Sequence, residues 1–173
     1  TSWHEVNHQF IVLFRLCITG ISRPEVVSAA KAVAANRYGR PYTFTSALLT
    51  HLRETHFCIA ITGAPREVVR LLAPTWGFDR FVATHLETVG GRYTGQDVDV
   101  PANDKGAVLK RLFGEKMPPG SIAIGDTASD ISMLAAVDLP IAFNPDESLT
   151  EEAERRLWQI VIERKKNIWT PRG

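Results

Sequence analysis

The sequence predicts an α/β fold with a parallel sheet, and three observations support that prediction. Short apolar runs, FCIAIT at 57–62, SIAIG at 121–125 and LPIAF at 139–143, are typical of strands buried on both faces. Segments with apolar residues at helical spacing separate these runs. Strands that alternate with helices favour a three-layer arrangement, in which helices cover both faces of a parallel sheet.

The individual elements follow in a regular order along the chain. The first forty residues have helical periodicity, interrupted at TGISRPEV, where Gly20 ends one helix and Ser22 caps the next. The segment FDRFVATHLETVGGRYTG at 78–95 predicts two strands that turn at Gly90 and Gly91. The other predicted elements are helices at 24–39, 44–55, 65–76, 105–113, 129–137 and 149–157, and strands at 57–62, 121–125, 139–143 and 158–163.

Length and charge exclude several classes of protein. A chain of 173 residues with net charge +1 forms one ordinary domain with a small second lobe and has no bias toward nucleic acid or anionic membranes. The basic stretch 164–166 has no accompanying binding motif and indicates a solvated tail. Cys17 and Cys58 lie in apolar runs, which favours two core thiols in a reducing compartment. We expect a cytoplasmic protein without nucleic-acid or membrane partners, and the oligomeric state stays open.

Two aspartates follow the apolar run SIAIG. Gly125 permits a tight turn, Asp126 leaves the strand end, and Asp130 lies on the first turn of the next helix. Ligands bind beyond the carboxyl ends of parallel strands, so both carboxylates can face one crevice. Oxygen ligands without histidine or thiol favour a hard cation, and Mg²⁺ suits this pair better than Ca²⁺. The alternative is that Asp130, Thr127 or Ser129 only caps the helix.

Thr62 and Gly63 follow the strand FCIAIT in the same way. The Thr62 hydroxyl and the amides after it would form an anion site at a helix N-terminus, where glycine permits close approach. The alternative is that Thr62 only caps the helix. Lys105 begins another helix, a position where the helix dipole favours an anion. The lysine therefore suggests a bound anion, although an exposed lysine is the simpler interpretation.

The succession of these segments resembles the haloacid dehalogenase (HAD) superfamily, and most closely its phosphoserine-phosphatase-like branch. The segments are an apolar strand followed by TG, then NDKGAVLKRLF, IAIGDTASDISML and PIAFNPD, which are similar to the family's second, third and fourth motifs. The resemblance covers residues 40–166. It implies a Mg²⁺-dependent phosphomonoesterase that acts on a small phosphorylated metabolite through an aspartyl-phosphate intermediate.

The resemblance also implies roles for five residues. Thr62 would hydrogen-bond the transferring phosphoryl group, with Gly63 beside it. Lys105 would neutralise charge on the nucleophile and the phosphate. Asp126 would ligate Mg²⁺, and Asp130 would ligate or orient it.

The family's first motif, a strand ending in Asp-x-Asp-x-Thr, is absent from this sequence. Its two aspartates are the nucleophile and the acid–base catalyst. Asp97 and Asp99 have the right spacing, but they follow the second motif, lack the threonine and precede Pro101, so we interpret them as part of the strand pair or its exit. The run IVLFRLCITG has Arg15 and Cys17 where acids are needed, and we interpret it as a helix of the cap.

The missing motif has structural consequences, because its strand lies in the middle of the family's sheet. We expect residues 1–41 to be the remainder of a helical cap and residues 42–173 to be the α/β core without its central first strand. Loss of that strand exposes sheet edges, so this chain should fold poorly alone. The nucleophile would lie outside these 173 residues, in a longer protein or a partner chain, and these residues alone should hydrolyse nothing at a useful rate.

Two other classes of function compete with the phosphatase. A binding module would keep the phosphate and Mg²⁺ site and lack catalysis, and residues upstream of Thr1 would distinguish the two. A receiver-type signalling domain also uses a parallel sheet and Mg²⁺. It expects paired acids after its first strand and a lysine near its last, whereas Lys105 here precedes Asp126, which disfavours this class.

Overall fold

The structure is a computed structural model that describes residues 3–37 and 41–164. The predicted helix end at Gly39 and the basic residues Lys165 and Lys166 lie outside those ranges. The helices are α1 (Trp3–Ile18), α2 (Arg23–Arg37), α3 (Thr43–Leu52), α4 (Arg66–Trp76), α5 (Lys105–Phe113), α6 (Ile131–Leu134) and α7 (Glu147–Arg156). The strands are β1 (Ile59–Pro65), β2 (Arg80–Val89), β3 (Arg92–Asp99), β4 (Ile122–Gly125), β5 (Leu139–Phe143) and β6 (Gln159–Val161).

The chain divides into two compact units. The first unit contains Thr1–Arg40 and Leu49–Ala102, and the second contains Pro41–Leu48 and Asn103–Gly173. The six strands form two three-stranded sheets, β1-β2-β3 and β4-β5-β6, whereas the sequence predicts one sheet. Among the described residues, no strand pairs with the second side of β1 or of β4. The absence of a central strand from this chain and the domain boundary near residue 42 stay predictions.

In the first unit, β1 and β2 are parallel, and β2 and β3 form the predicted antiparallel pair around Gly90 and Gly91. Helix α4 covers this sheet with Val69 and Ala73, which pack with Ala83 of β2. Helix α4 ends at Gly77, whose φ of 88° is the left-handed conformation that glycine adopts most easily. A second cluster contains Ile18, Leu86 and Tyr93. The burial of these apolar side chains holds the helices of the unit against its sheet.

The second unit has a fully parallel sheet. Strand β5 pairs with β4 on one side and with β6 on the other. Its residues Ile141, Ala142 and Phe143 are all buried, which explains why the strand is a continuous apolar run. Phe44 stacks on Phe143 with ring centroids 5.7 Å apart, so the segment 41–48 belongs to this core.

The predicted α/β class is confirmed, and the differences are local. The predicted helix at 129–137 is a 3-10 turn over Ala128–Asp130 followed by the short α6. Cys58 is buried as expected, but Cys17 is exposed on α1, so the prediction of two core thiols is wrong for Cys17. Within residues 3–37 and 41–164, no helix has the length and apolar character needed to cross a membrane.

Candidate active site

The turn after β4 is organised around the side chain of Asp130. This residue is 1% exposed, and its Oδ2 accepts hydrogen bonds from the backbone amides of Asp126, at 2.9 Å, and Thr127, at 3.1 Å. Thr127 and Asp130 form a reciprocal capping box around the 3-10 turn. Asp130 therefore takes part in capping the 3-10 turn, but its side chain makes no cap hydrogen bond to α6 and it also pairs with Lys105, so the alternative that it only caps a helix is not what the structure shows.

Gly125 is required at the end of β4 by close packing. A Cβ atom placed on Gly125 would lie 2.3 Å from Cβ and 2.5 Å from Cγ of Asp130. Its φ is not in the left-handed region, so glycine permits the tight turn here by leaving room for Asp130 and not by a positive φ. The glycine is needed because the backbone of β4 lies directly against the buried aspartate.

Lys105 supplies the counter-ion for Asp130. It is the first residue of α5, whose N-cap Asp104 accepts a hydrogen bond from the Ala107 amide at 2.9 Å. The Lys105 ammonium forms an ion pair with Asp130 Oδ1, and the lysine side chain is 12% exposed. The anion that its helix position suggested is thus, in this structure, a carboxylate of the protein itself.

Asp126 differs from Asp130 because it remains exposed to solvent. Its carboxyl nevertheless lies close to enough protein atoms to be partly desolvated, and this raises its pKa above 3.8. The negative charge of Asp130 raises the pKa further, while Lys105 opposes both effects. The turn therefore combines one buried carboxylate that is neutralised by lysine with one accessible carboxylate.

Asp104 and Ser132 hold the starts of α5 and α6 together, and sequence reasoning missed both. Asp104 Oδ1 accepts from the Ser132 hydroxyl at 3.0 Å, and Ser132 Oγ accepts from the Gly106 amide at 2.9 Å. These bonds fix the position of the helix end that carries Lys105. The available signal was an aspartate directly before the predicted helix at 105–113, the usual position of an N-cap.

Asp146 supports the same turn from the start of α7. Its Oδ1 caps α7 through the Leu149 amide at 2.8 Å, and its Oδ2 accepts from the Ala128 amide at 3.0 Å. Its own amide donates to the Asp126 carbonyl at 2.9 Å. Sequence analysis placed Asp146 in the PIAFNPD segment without a role, because a bond to Ala128 cannot be inferred from local spacing.

Thr62 and Gly63 belong to the first unit. Strand β1 continues to Pro65, which is the N-cap of α4, so the alternative that Thr62 caps this helix is wrong. The Thr62 hydroxyl accepts a hydrogen bond from the Ala64 amide at 3.1 Å. Gly63 lies close to Ala102, since an added Cβ would approach the Ala102 Cβ to 3.0 Å. The predicted phosphate-binding roles of Thr62 and Gly63 stay predictions.

The Asp97 and Asp99 pair lies on β3, as expected for part of the strand pair. The Asp97 carboxylate forms an ion pair with Arg15 of α1, and the interpretation of the Arg15 segment as helical is confirmed. Asp97 is therefore engaged in holding α1 against the hairpin.

Magnesium fits the turn after β4 only in part. Among residues 3–37 and 41–164, no three histidine, cysteine or acidic side chains lie together in a way that could hold a metal ion. Both Asp130 oxygens accept protein donors, whereas Asp126 offers an accessible carboxylate. Since Mg²⁺ commonly uses one or two carboxylates and completes its shell with water and phosphate oxygens, Asp126 suits one ligand position.

Two curated phosphatases are similar to part of this chain. The chain is 35% identical over 106 residues to a phosphoserine phosphatase of Mycobacterium tuberculosis, covering 58% of this chain and 25% of the relative. It is 25% identical over 111 residues to a histidinol-phosphatase of Neisseria meningitidis serogroup C, covering 60% of this chain and 50% of the relative. The chain thus spans a quarter to a half of the length of these curated relatives.

A solved structure and a family profile extend the comparison. The structure described as a phospho-aspartyl intermediate analogue of phosphoserine phosphatase superposes with a TM-score of 0.65 at 21% identity, covering 95% of this chain and 74% of the other. At that identity the likeness shows the fold. The profile of haloacid dehalogenase-like hydrolases matches residues 7–135, which is more than half of the chain. The chain belongs to the haloacid dehalogenase-like hydrolase family.

Proposed function

We propose that this chain carries the phosphate- and metal-binding part of a Mg²⁺-dependent phosphatase that hydrolyses a small phosphorylated metabolite. The arrangement of Lys105, Asp130 and Asp126 at the carboxyl end of β4 is the observation that carries this proposal. A lysine ammonium beside an accessible carboxylate provides charge of both signs, and phosphoryl transfer depends mainly on positioning and charge stabilisation.

Each residue has a distinct part in the proposed reaction. Asp126 would bind Mg²⁺, which when bound neutralises charge on the phosphoryl oxygens. Lys105 would donate hydrogen bonds to the phosphate, because an ion pair with Asp130 uses only part of its three-donor capacity. Asp130 would hold Lys105 and the turn in position. A hydroxyl from Thr62 and an amide from Gly63 for the phosphoryl group stay predictions of the sequence.

The nucleophile of the proposed reaction is an aspartate outside these 173 residues. Its carboxylate attacks phosphorus as the P–O bond to the ester's alcohol breaks and the alcohol leaves with a proton, and water then hydrolyses the aspartyl-phosphate to inorganic phosphate and the free carboxylate. The absence of an Asp-x-Asp-x-Thr sequence after any apolar run supports this part of the proposal. The relatives' names support phosphate monoesters as substrates, and their difference leaves serine phosphate and histidinol phosphate as separate candidates.

The experiment is a phosphatase assay on the full-length protein with para-nitrophenyl phosphate, serine phosphate and histidinol phosphate, with and without Mg²⁺. We expect Mg²⁺-dependent release of phosphate that Asp126→Ala abolishes. Unchanged turnover in Asp126→Ala would refute the metal assignment. Asp138→Ala is the matched control, because Asp138 is an acid of the same unit whose Oδ2 accepts from the Gly120 amide, at 2.7 Å.

A second candidate is a binding module that holds phosphate and Mg²⁺ without catalysis. The lack of a nucleophile-bearing motif among these residues favours it. Binding and phosphate release together distinguish the two candidates. A binding module binds Mg²⁺ and a phosphate analogue such as orthovanadate, but it releases no phosphate from any of the three esters. Turnover by the full-length protein eliminates the module.

A further inference from the structure

The first unit contains a cavity that the proposed active site does not use. Its volume is about 450 Å³, and helices α2 and α4 and strands β2 and β3 line it. Cavities of roughly 300–1,000 Å³ are typical of small-molecule sites. None of the five residues proposed for phosphate transfer lines it, so the inference drawn from it is independent of the proposed function.

Positive charge is concentrated in this cavity. Arg23 of α2 and Arg66 and Arg70 of α4 all line it. All three are exposed, and within the part of the chain that the structure describes their side chains form no hydrogen bond or ion pair, although the charge of Arg23 acts on the Tyr93 hydroxyl. Arg15 and Arg92 of the same unit, in contrast, bond to Asp97 and to the Gly20 carbonyl. Three unpaired guanidinium groups around one cavity favour an anionic ligand with several acceptor oxygens.

A buried carboxylate oxygen adds a second, independent requirement. Tyr93 is 2% exposed and donates its hydroxyl proton to Glu67 Oε1 at 2.7 Å. Glu67 Oε2 is buried and has no hydrogen-bond partner among the described residues. Burial and the adjacent Glu67 raise the pKa of Tyr93, so the hydroxyl stays a donor at neutral pH. A ligand N–H or O–H group would satisfy the remaining oxygen.

The cavity also has apolar surface, contributed by Val27, Leu71 and Leu86. We propose that it binds a small organic anion whose carboxylate or phosphate groups contact Arg23, Arg66 and Arg70 and whose hydroxyl or amine donates to Glu67 Oε2. The carbon skeleton of such a ligand packs against the apolar wall. This combination of charges, donor and apolar surface distinguishes an organic anion from a simple inorganic one.

The test is calorimetric titration of the full-length protein, without Mg²⁺, with malate, succinate and inorganic phosphate. Malate has the hydroxyl donor that succinate lacks, so we expect it to bind about tenfold more tightly than succinate, and phosphate to bind more weakly than malate. Arg70→Gln should weaken malate binding about tenfold. Arg80→Gln is the matched control, since this exposed arginine of β2 lies in the same unit and does not line the cavity.

Backbone amide chemical shifts locate the binding. We expect malate to shift residues of α4, β2 and β3. Shifts confined to 104–106 and 126–130 would place malate in the proposed active site and overturn the inference. It is overturned equally by the absence of saturable malate binding, by equal affinities for malate and succinate, or by unchanged binding in Arg70→Gln. If circular dichroism shows that Arg70→Gln is misfolded, Arg23→Gln provides the same test.

Discussion

The buried carboxylate of Asp130 is the counter-ion of the Lys105 ammonium and also accepts hydrogen bonds from two amides of the turn that carries Asp126. One side chain therefore connects the start of α5 to the end of β4. Asp130 therefore contributes to the stability of the protein as well as to the proposed site, and stability and site function can be measured separately.

Removing either partner of this ion pair should destabilise the protein. Lys105→Ala leaves a 1% exposed carboxylate without its counter-ion, which costs about 3 kcal/mol of unfolding free energy. Denaturant unfolding of Lys105→Ala, Asp130→Asn and the double variant should give a coupling energy above about 1 kcal/mol.

The exposed pair Lys110–Glu115 is the matched control for that cycle. Its side chains are 63% and 77% exposed, so Lys110→Ala should cost less than about 0.5 kcal/mol. Equal losses in Lys105→Ala and Lys110→Ala would show that the Asp130 pair is no stronger than a surface pair.

Gly125→Ala should displace Asp130, because the new methyl group would lie 2.3 Å from the Asp130 Cβ. We expect a loss of about 3 kcal/mol from overpacking and from the disturbed ion pair. Thermal unfolding provides the measurement. Gly120→Ala is the control, since its Cβ meets open space and only its φ of 78° is unfavourable, which costs about 1 kcal/mol. A Gly125→Ala variant as stable as Gly120→Ala would contradict the packing argument.

Sequence reasoning located the turn but not its internal bonds, for a physical reason. The strand runs and the intervening helices depend on local apolar periodicity, so β4, β5 and α5 were predicted close to their observed bounds. Whether Asp130 faces a ligand or Lys105 depends on the separation of residues 25 positions apart, which periodicity does not encode. The same holds for the bond from the Ala128 amide to Asp146.

Asp126 should make the protein less stable as the pH rises. Its pKa is raised in the folded state by partial desolvation and by Asp130, so the folded protein holds this proton more tightly than the unfolded chain. The stability that it contributes is present below its ordinary pKa of 3.8 and is lost as the pH rises through the raised value.

Asp126→Asn removes the titrating carboxyl group and with it this pH dependence of stability. The substitution should also abolish the proposed Mg²⁺ binding. At pH 7 we expect the variant to be more stable by less than about 1 kcal/mol, because solvent screens the exposed carboxylate. The difference should disappear as the pH falls to the ordinary aspartate range. Urea unfolding between pH 4 and 7 measures it, and a variant that is less stable at pH 7 would refute the assigned direction of the pKa.

Asp97→Asn distinguishes the acid pair on β3 from a catalytic pair. The substitution weakens the ion pair with Arg15 and should cost about 1–2 kcal/mol of stability. In the full-length protein, phosphatase turnover at a temperature where the variant is folded should stay within about twofold of the unsubstituted protein. A loss of several hundredfold would instead make Asp97 part of the catalytic machinery.

We expect Asp146 to influence the Mg²⁺ affinity of the proposed site, because its carboxylate accepts a hydrogen bond from the Ala128 amide of the turn. Asp146→Ala removes the α7 cap and the bond to the Ala128 amide, and should cost about 1–2 kcal/mol of stability. Because the turn that carries Asp126 is then less constrained, we expect Mg²⁺ affinity to fall about tenfold.

Two further variants separate the cap from the contact with the turn. Asp146→Asn keeps one acceptor oxygen, so it should retain the cap of α7 and most of the stability. It should still weaken Mg²⁺ binding, because the amide NH₂ group cannot accept a hydrogen bond from the Ala128 amide. Asp138→Ala also loses a side-chain acceptor for a backbone amide, but at the amino end of β5, and should leave Mg²⁺ affinity unchanged. Calorimetric titration measures the Mg²⁺ affinity of the three variants. Equal Mg²⁺ affinities in Asp146→Ala and Asp138→Ala would show that Asp146 has no influence on the metal site.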